Sequence, residues 1–219
     1  SDVPIFAFVG RLVQQKGVHL LLDCVEPLLK ATGGRAQVLI CGCAEPSNPY
    51  GQRCAAQMAE LCQRHPANVW CSDPRVYFEQ GLFVSAAADW GVMPSLFEPS
   101  GLVGEEFLSA GTPLICADTG GMRDRVRRFG FGPADSEAGN GLLFEPGDHR
   151  SLLGALLQAV AVHRETVASS RVRANAHASA CDVAHTAYHW HGELLRVRAC
   201  CAAPWTVQQG NGDEEGGAT

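Results

Sequence analysis

Residues 4–29 read PIFAFVGRLVQQKGVHLLLDCVEPLL. Pro4 to Val9 is a short, continuous apolar run that ends at Gly10, the pattern of a strand buried on both faces. Val18, Leu21, Leu22, Val25, Leu28 and Leu29 then recur at helical spacing, and Thr32-Gly33-Gly34 stops the helix. The same unit repeats downstream. Gln37 to Cys41 (QVLIC) is a second buried strand closed by Gly42, Ala55, Met58, Leu61 and Cys62 mark a second helix, and Val69 to Cys71 is a brief third strand. Leu82 to Ala88 then predicts a helix, Asp89 to Met93 a strand, Glu105 to Ala110 a helix and Pro113 to Cys116 a strand. Gly121 to Val126 opens a further helix, Leu142 to Phe144 is a strand, and Leu152, Leu153, Leu156, Leu157 and Val160 line one face of a helix. Strands that alternate with helices predict an α/β fold with a doubly wound parallel sheet and right-handed crossovers.

The composition agrees. The chain has 219 residues, of which 46% are apolar and 18% charged, enough for one sizeable core. The net charge of −6 argues against a nucleic-acid binder, which needs a basic surface to neutralise phosphates. No apolar run approaches the roughly 18 residues of a membrane span. Ser1-Asp2-Val3-Pro4 leads straight into the first strand, so no leader is expected, and the start at Ser1 suggests a processed chain or a fragment. The ten cysteines form no Cys-x-x-Cys pair, and several lie inside apolar runs, where a reduced thiol behaves as a small hydrophobe. A cytoplasmic or plastid, reducing compartment is expected. Arg128 to Asn140 reads as a loop, Cys181 to Val197 as a helix with three histidines, and Gln208 to Thr219 (QQGNGDEEGGAT) as disordered. The domain reading is a nucleotide-sugar-binding domain over 1–180, a terminal helix over 181–200 and a tail over 201–219.

Ligands in such a sheet bind at the carboxyl ends of the strands, so the strand-exit segments carry the candidate site. After the first strand come Gly10-Arg11 and Lys16-Gly17, two cations that can converge on a diphosphate. Alone, either reads equally well as a solvated surface residue. After Val92-Met93 comes PSLFEPSGL (Pro94 to Leu102), with Glu98 before a helix start near Gly101 and Glu106 inside the helix. The free N–H groups of that helix start can meet an anion or a sugar hydroxyl. After Ile115-Cys116 comes Asp118-Thr119-Gly120-Gly121, a compact anion cradle or simply a turn. The default for Asp118 and Asp124 is capping, and for His19 a core or partly buried position. Cys181, His185 and His189 share a helical face at i, i+4 and i+8, a spacing that packing explains without a metal. Together, two cations, two acids and two glycine-lined helix starts suit a nucleoside diphosphate that carries a sugar.

These stretches resemble the C-terminal half of starch and glycogen synthases, which are GT-B glycosyltransferases with Rossmann-like domains. The resemblance is carried by FVGRLVQQKGVHLLL (Phe8 to Leu22), QVLICG (Gln37 to Gly42), ADWGVMPSLFEPSGL (Ala88 to Leu102), SAGTPLI (Ser109 to Ile115), TGGMRDRV (Thr119 to Val126) and GNGLLFEPGD (Gly139 to Asp148), and it covers roughly Pro4 to Val197. It implies a retaining transfer of glucose from ADP- or UDP-glucose to the 4-OH of an α-1,4-glucan, with no cofactor and no tightly bound metal. Arg11 and Lys16 correspond to the pair that holds the donor diphosphate, and Glu98 to the acid at the donor glucose. Gly10, Ser100, Gly101 and Leu102 fall along the sugar and phosphates, Glu106 at the ribose, and Thr119 and Gly120 at the phosphate and acceptor side. Tyr77 lies next to Val76, where the family places a base-stacking tyrosine.

The chain departs from the family pattern in four places. Ser100 stands for a frequent cysteine, Leu96 for an arginine, Leu82 for a histidine linked to donor-sugar contacts, and Val76 for the tyrosine. The resemblance also implies an N-terminal Rossmann-like domain that carries most of the acceptor site and is missing from this chain. The expected partners are therefore a nucleotide-sugar, an α-glucan and that domain, with neither nucleic acid nor membrane. Two alternatives remain open: a GT-B enzyme with another sugar or acceptor, and a non-catalytic half that binds nucleotide or glucan and regulates a partner. A dehydrogenase is disfavoured, because no G-x-G-x-x-G follows the first strand.

Overall fold

The computed structural model describes residues 2–76, 81–132, 137–181 and 183–202. The chain divides into two compact units, Ser1–Ala180 and Cys181–Thr219. In the first unit, β1 (Ile5–Arg11), β2 (Gln37–Cys43), β3 (Val69–Cys71), β4 (Trp90–Met93), β5 (Leu114–Ala117) and β6 (Gly141–Phe144) form one parallel sheet in the order β3-β2-β1-β4-β5-β6. The helices are α1 (Val18–Thr32), α2 (Pro49–Arg64), α3 (Gly81–Ala87), α4 (Leu102–Ser109), α5 (Gly120–Arg125), α6 (His149–Arg164) and α7 (Thr166–Ser179). This is the Rossmann-like, doubly wound architecture that the alternating pattern predicts.

The period-2 geometry of the strands divides the core between two faces. Phe6, Phe8, Val38, Ile40, Trp90, Val92, Ile115 and Phe144 pack with α1, α2 and α6. Ala7, Cys41, Met93, Leu114 and Cys116 pack with α3, α4 and α5. Both faces are covered, which is why the strands read as unbroken apolar runs. Gly91 is required in β4, because a Cβ there would lie 2.6 Å from the Phe107 ring.

Three segments differ from their sequence reading. β1 runs on to Arg11 and β2 to Cys43, past the glycines expected to end them. Gly10 pairs with Gly42 and Arg11 with Cys43, so the ladder continues where the chains approach too closely for a Cβ: one on Gly42 would lie 2.6 Å from the Gly10 carbonyl oxygen. α7 is a helix that periodicity does not announce, since only Val172 and Ala176 of its residues are buried. Asn140, just before β6, is 1% exposed and anchors the chain that leaves α5. Its Oδ1 accepts from Arg127 N at 2.8 Å, and its Nδ2 donates to Arg125 O at 3.0 Å and to Ser179 Oγ at 2.7 Å. Asn140→Ala leaves those groups without partners, and the expected cost is about 2–4 kcal/mol in a urea unfolding titration.

The second unit contains α8 (Val183–Ala202). On it Trp190, Leu194 and Leu195 are exposed, and Arg196 pairs with Glu193 one turn away. The side chain of His185 lies outside the described residues, and so does the tail from Gln208 to Thr219. Among the described residues, no helix is long and apolar enough to cross a membrane.

Candidate functional site

The order β3-β2-β1-β4-β5-β6 places β1 and β4 side by side, with the chain leaving β1 toward one edge and continuing beyond β4 toward the other. Their carboxyl ends therefore flank the switch point of the sheet, where a crevice opens. A cavity of about 470 Å³ lies there. Gly10 and Arg11 from β1, Lys16, Gly42 and Cys43 from β2, and Glu106 from α4 line it. Leu82 of α3 also faces the cavity and is 66% exposed.

The loop after β1 is shaped by its own hydrogen bonds. Leu12 is fully buried, and Gln14–Lys16 form one turn of 3-10 helix that ends at Gly17, whose φ is 60°. A Cβ on Gly17 would overlap the carbonyl oxygen of Pro94, so only glycine lets this turn meet the loop after β4. Two further bonds staple the loops: Leu96 N to Gln15 O at 2.8 Å and Gln15 Nε2 to Phe97 O at 3.0 Å.

Glu98 sits at the hub. It is 5% exposed, and its Oε2 lies 2.5 Å from Lys16 Nζ. Ser95, itself buried, donates from Oγ to the same oxygen at 2.9 Å. The Glu98 carbonyl accepts from Gly121 N at 2.9 Å. Gly120, at φ 48°, passes so close that a Cβ would overlap that carbonyl. One residue thus ties together the strand exits of β1, β4 and β5.

The other expected site residues divide. Gly101 is the buried N-cap of α4 at φ 74°, packed on Met122. Ser100 is exposed, and Leu102 is exposed on the first turn of α4. Thr119 is the half-buried N-cap of α5 and makes no capping bond with its side chain. Arg11 is exposed and forms no ion pair among the described residues. Tyr77 lies outside the described residues. The two acids of α4 separate: Glu105 pairs with Arg125 of α5, whereas Glu106 faces the cavity.

Capping does not describe Asp118 or Asp124. Asp118 Oδ1 accepts from Arg123 Nε at 2.7 Å, because α5 returns that side chain over the loop. Asp124 lies inside α5 and not at its start. His19 is half-buried, with Nδ1 2.8 Å from Tyr50 Oη. Ser95 lies inside the SLFEPSGL stretch with no role legible there; only its burial against Glu98 reveals one. Cys43 reaches the cavity because β2 runs past Gly42. Burial pushes the thiol of its neighbour Cys41 up to about 11.

The family model described as "Glycosyl transferases group 1" matches residues 1–174. A glycogen synthase of Cellvibrio japonicus is 32% identical over 180 residues, which are 80% of this chain and 34% of that protein. The catalytic domain of starch synthase IV from Arabidopsis thaliana, solved bound to ADP and acarbose, superimposes with a TM-score of 0.72 at 23% identity, over 92% of this chain and 39% of that one. Anabaena HepE, solved with UDP and glucose, gives a TM-score of 0.69 at 22% identity, over 90% of this chain and 49% of that one. The chain spans about a third of the length of the curated relative.

Proposed function

Because the chain belongs to the glycosyl transferases group 1 family, we propose that it supplies the donor-binding half of a retaining glucosyltransferase that moves glucose from ADP- or UDP-glucose to an α-1,4-glucan. The observation that carries this reading is the meeting of Lys16 and Glu98 beside Arg11 at the switch point. A nucleoside diphosphate leaving group gains negative charge as the glycosidic bond breaks. Arg11 and Lys16 stabilise that charge more in the transition state than in the bound donor, and this difference lowers the barrier. Glu106, half-buried on α4, accepts from the ribose hydroxyls, and Glu98 accepts from a hydroxyl of the glucose. The two cations do the work that a metal does at other phosphoryl sites. The acceptor glucan approaches from the open side of the crevice, which a second domain covers in the working enzyme.

The donor is identified by calorimetric titration with ADP, UDP, ADP-glucose and UDP-glucose. Binding of one nucleotide series and not the other names the base; no binding by any of the four, here and in a chain extended upstream, overturns the reading. Alkylation gives an independent measure. Cys43 is half-exposed in the cavity, and a saturating nucleotide is expected to slow its reaction with iodoacetamide about tenfold or more. Exposed Cys200 and Cys201 are expected to react at an unchanged rate, so peptide mass spectrometry reads both at once. A second reading, binding without turnover, is favoured by Leu82 in the cavity where the family has a histidine. An extended chain that binds the donor and transfers no glucose would establish it.

A further inference from the structure

The two oxygens of Glu98 are not equivalent. Oε2 receives both Lys16 Nζ at 2.5 Å and Ser95 Oγ at 2.9 Å. Among the described residues, no donor reaches Oε1, and no buried side-chain oxygen lacks a partner. Oε1 is therefore the oxygen left open to solvent.

The two donors to Oε2 also differ in kind. Lys16 is a flexible cation whose side chain retains 18% exposure. A diphosphate entering beside Arg11 competes with Glu98 for it, and a compact ammonium follows the greater negative charge. Ser95 is 2% exposed on the buried exit of β4. Its neutral hydroxyl has no such competition and cannot leave without moving the loop. α5, also packed against Glu98, donates Gly121 N to its carbonyl, while its Arg123 and Arg125 pair with Asp118 and Glu105.

We propose that Ser95 is a positioning residue for donor recognition: it holds Oε2 of Glu98 once the diphosphate has drawn Lys16 away, so that Oε1 stays aimed at a hydroxyl of the transferred sugar. This rests on the reading of the crevice as a nucleotide-sugar site.

The test is the ratio of two dissociation constants, for ADP against ADP-glucose and for UDP against UDP-glucose, measured by calorimetry on the full chain. Ser95→Ala is expected to change the nucleoside diphosphate constant less than about twofold and to weaken the sugar-nucleotide about tenfold or more, the scale of one charge-assisted hydrogen bond. Ser95→Thr keeps the hydroxyl and is expected to restore most of the ratio. Ser95→Cys keeps the volume with a weak donor and is expected to follow Ser95→Ala, which serves if the alanine variant unfolds. Equal weakening of both ligands, or an unchanged ratio, overturns the role of Ser95 alone. If neither this chain nor one extended upstream binds any of the four ligands, the nucleotide reading fails and this role fails with it.

Discussion

Replacing Arg11 and Lys16 together by alanine is expected to weaken binding of a nucleoside diphosphate about a hundredfold. Each cation can give the diphosphate a charge-assisted hydrogen bond, worth about 1.5–3 kcal/mol, and every 1.4 kcal/mol is about tenfold in affinity. The two single variants should behave differently. Arg11 is exposed and makes no ion pair among the described residues, so Arg11→Ala should lower affinity by about tenfold and leave the unfolding midpoint in place. Lys16 neutralises a nearly buried carboxylate. Lys16→Ala leaves Glu98 with Ser95 as its one side-chain donor among the described residues, and removing one partner of a buried pair is costly. Its affinity loss should therefore come with a lower melting temperature, and Lys16→Ala with Glu98→Gln should recover part of that stability. The effect on binding should also shrink as salt rises, because both cations lie near solvent. Nucleotide affinity that survives the double substitution within a few fold would place the phosphates elsewhere.

Gly17→Ala should be among the most damaging of conservative substitutions in this chain. Its φ of 60° costs an L-residue about 1–2 kcal/mol, and its Cβ would overlap the Pro94 carbonyl oxygen, which is backbone and cannot rotate away. Relieving the overlap means parting the Gln14–Lys16 turn from the loop that carries Ser95 and Glu98. A total of about 3 kcal/mol or more lowers the melting temperature of a domain this size by roughly 6–12 °C. Gly33→Ala supplies the comparison. Gly33 has a φ of 61° but open space around the position of a Cβ, so it should cost only the backbone strain, roughly 2–8 °C. Gly17→Ala should also weaken nucleotide binding, and Gly33→Ala should leave it unchanged. Equal melting shifts for the two variants would show that the contact with Pro94 is not what constrains the turn.

The sheet was legible because burial on both faces leaves a local mark. Val38 to Cys41 and Leu114 to Ala117 are apolar without interruption, and the first is followed by a helix with its own period, α2. The exits of β1, β4 and β5 were legible as places where ligand chemistry gathers, and the cavity does hold Gly10, Arg11, Lys16 and Glu106. The ends of the strands were not, because Gly10 and Gly42 look like stop signals until they are seen paired with each other. α7 left no trace in the periodicity, since just Val172 and Ala176 of its residues turn inward.

The amino-acid sequence by itself determined the class of fold, the strand exits that meet a ligand and the charges brought to them, because hydrophobic period and residue type are local properties of the chain. It carried Glu98 and Lys16 as separate candidates 82 positions apart. Only the tertiary structure decided that they pair, that Lys16 and Ser95 donate to the same oxygen of Glu98, and that Glu105 and Glu106, adjacent in the chain, serve a salt bridge and a cavity. Those relations depend on β4 lying next to β1 and on carbonyls passing glycines too closely for a side chain, and pairing across the sheet leaves no mark on the neighbours of any one residue.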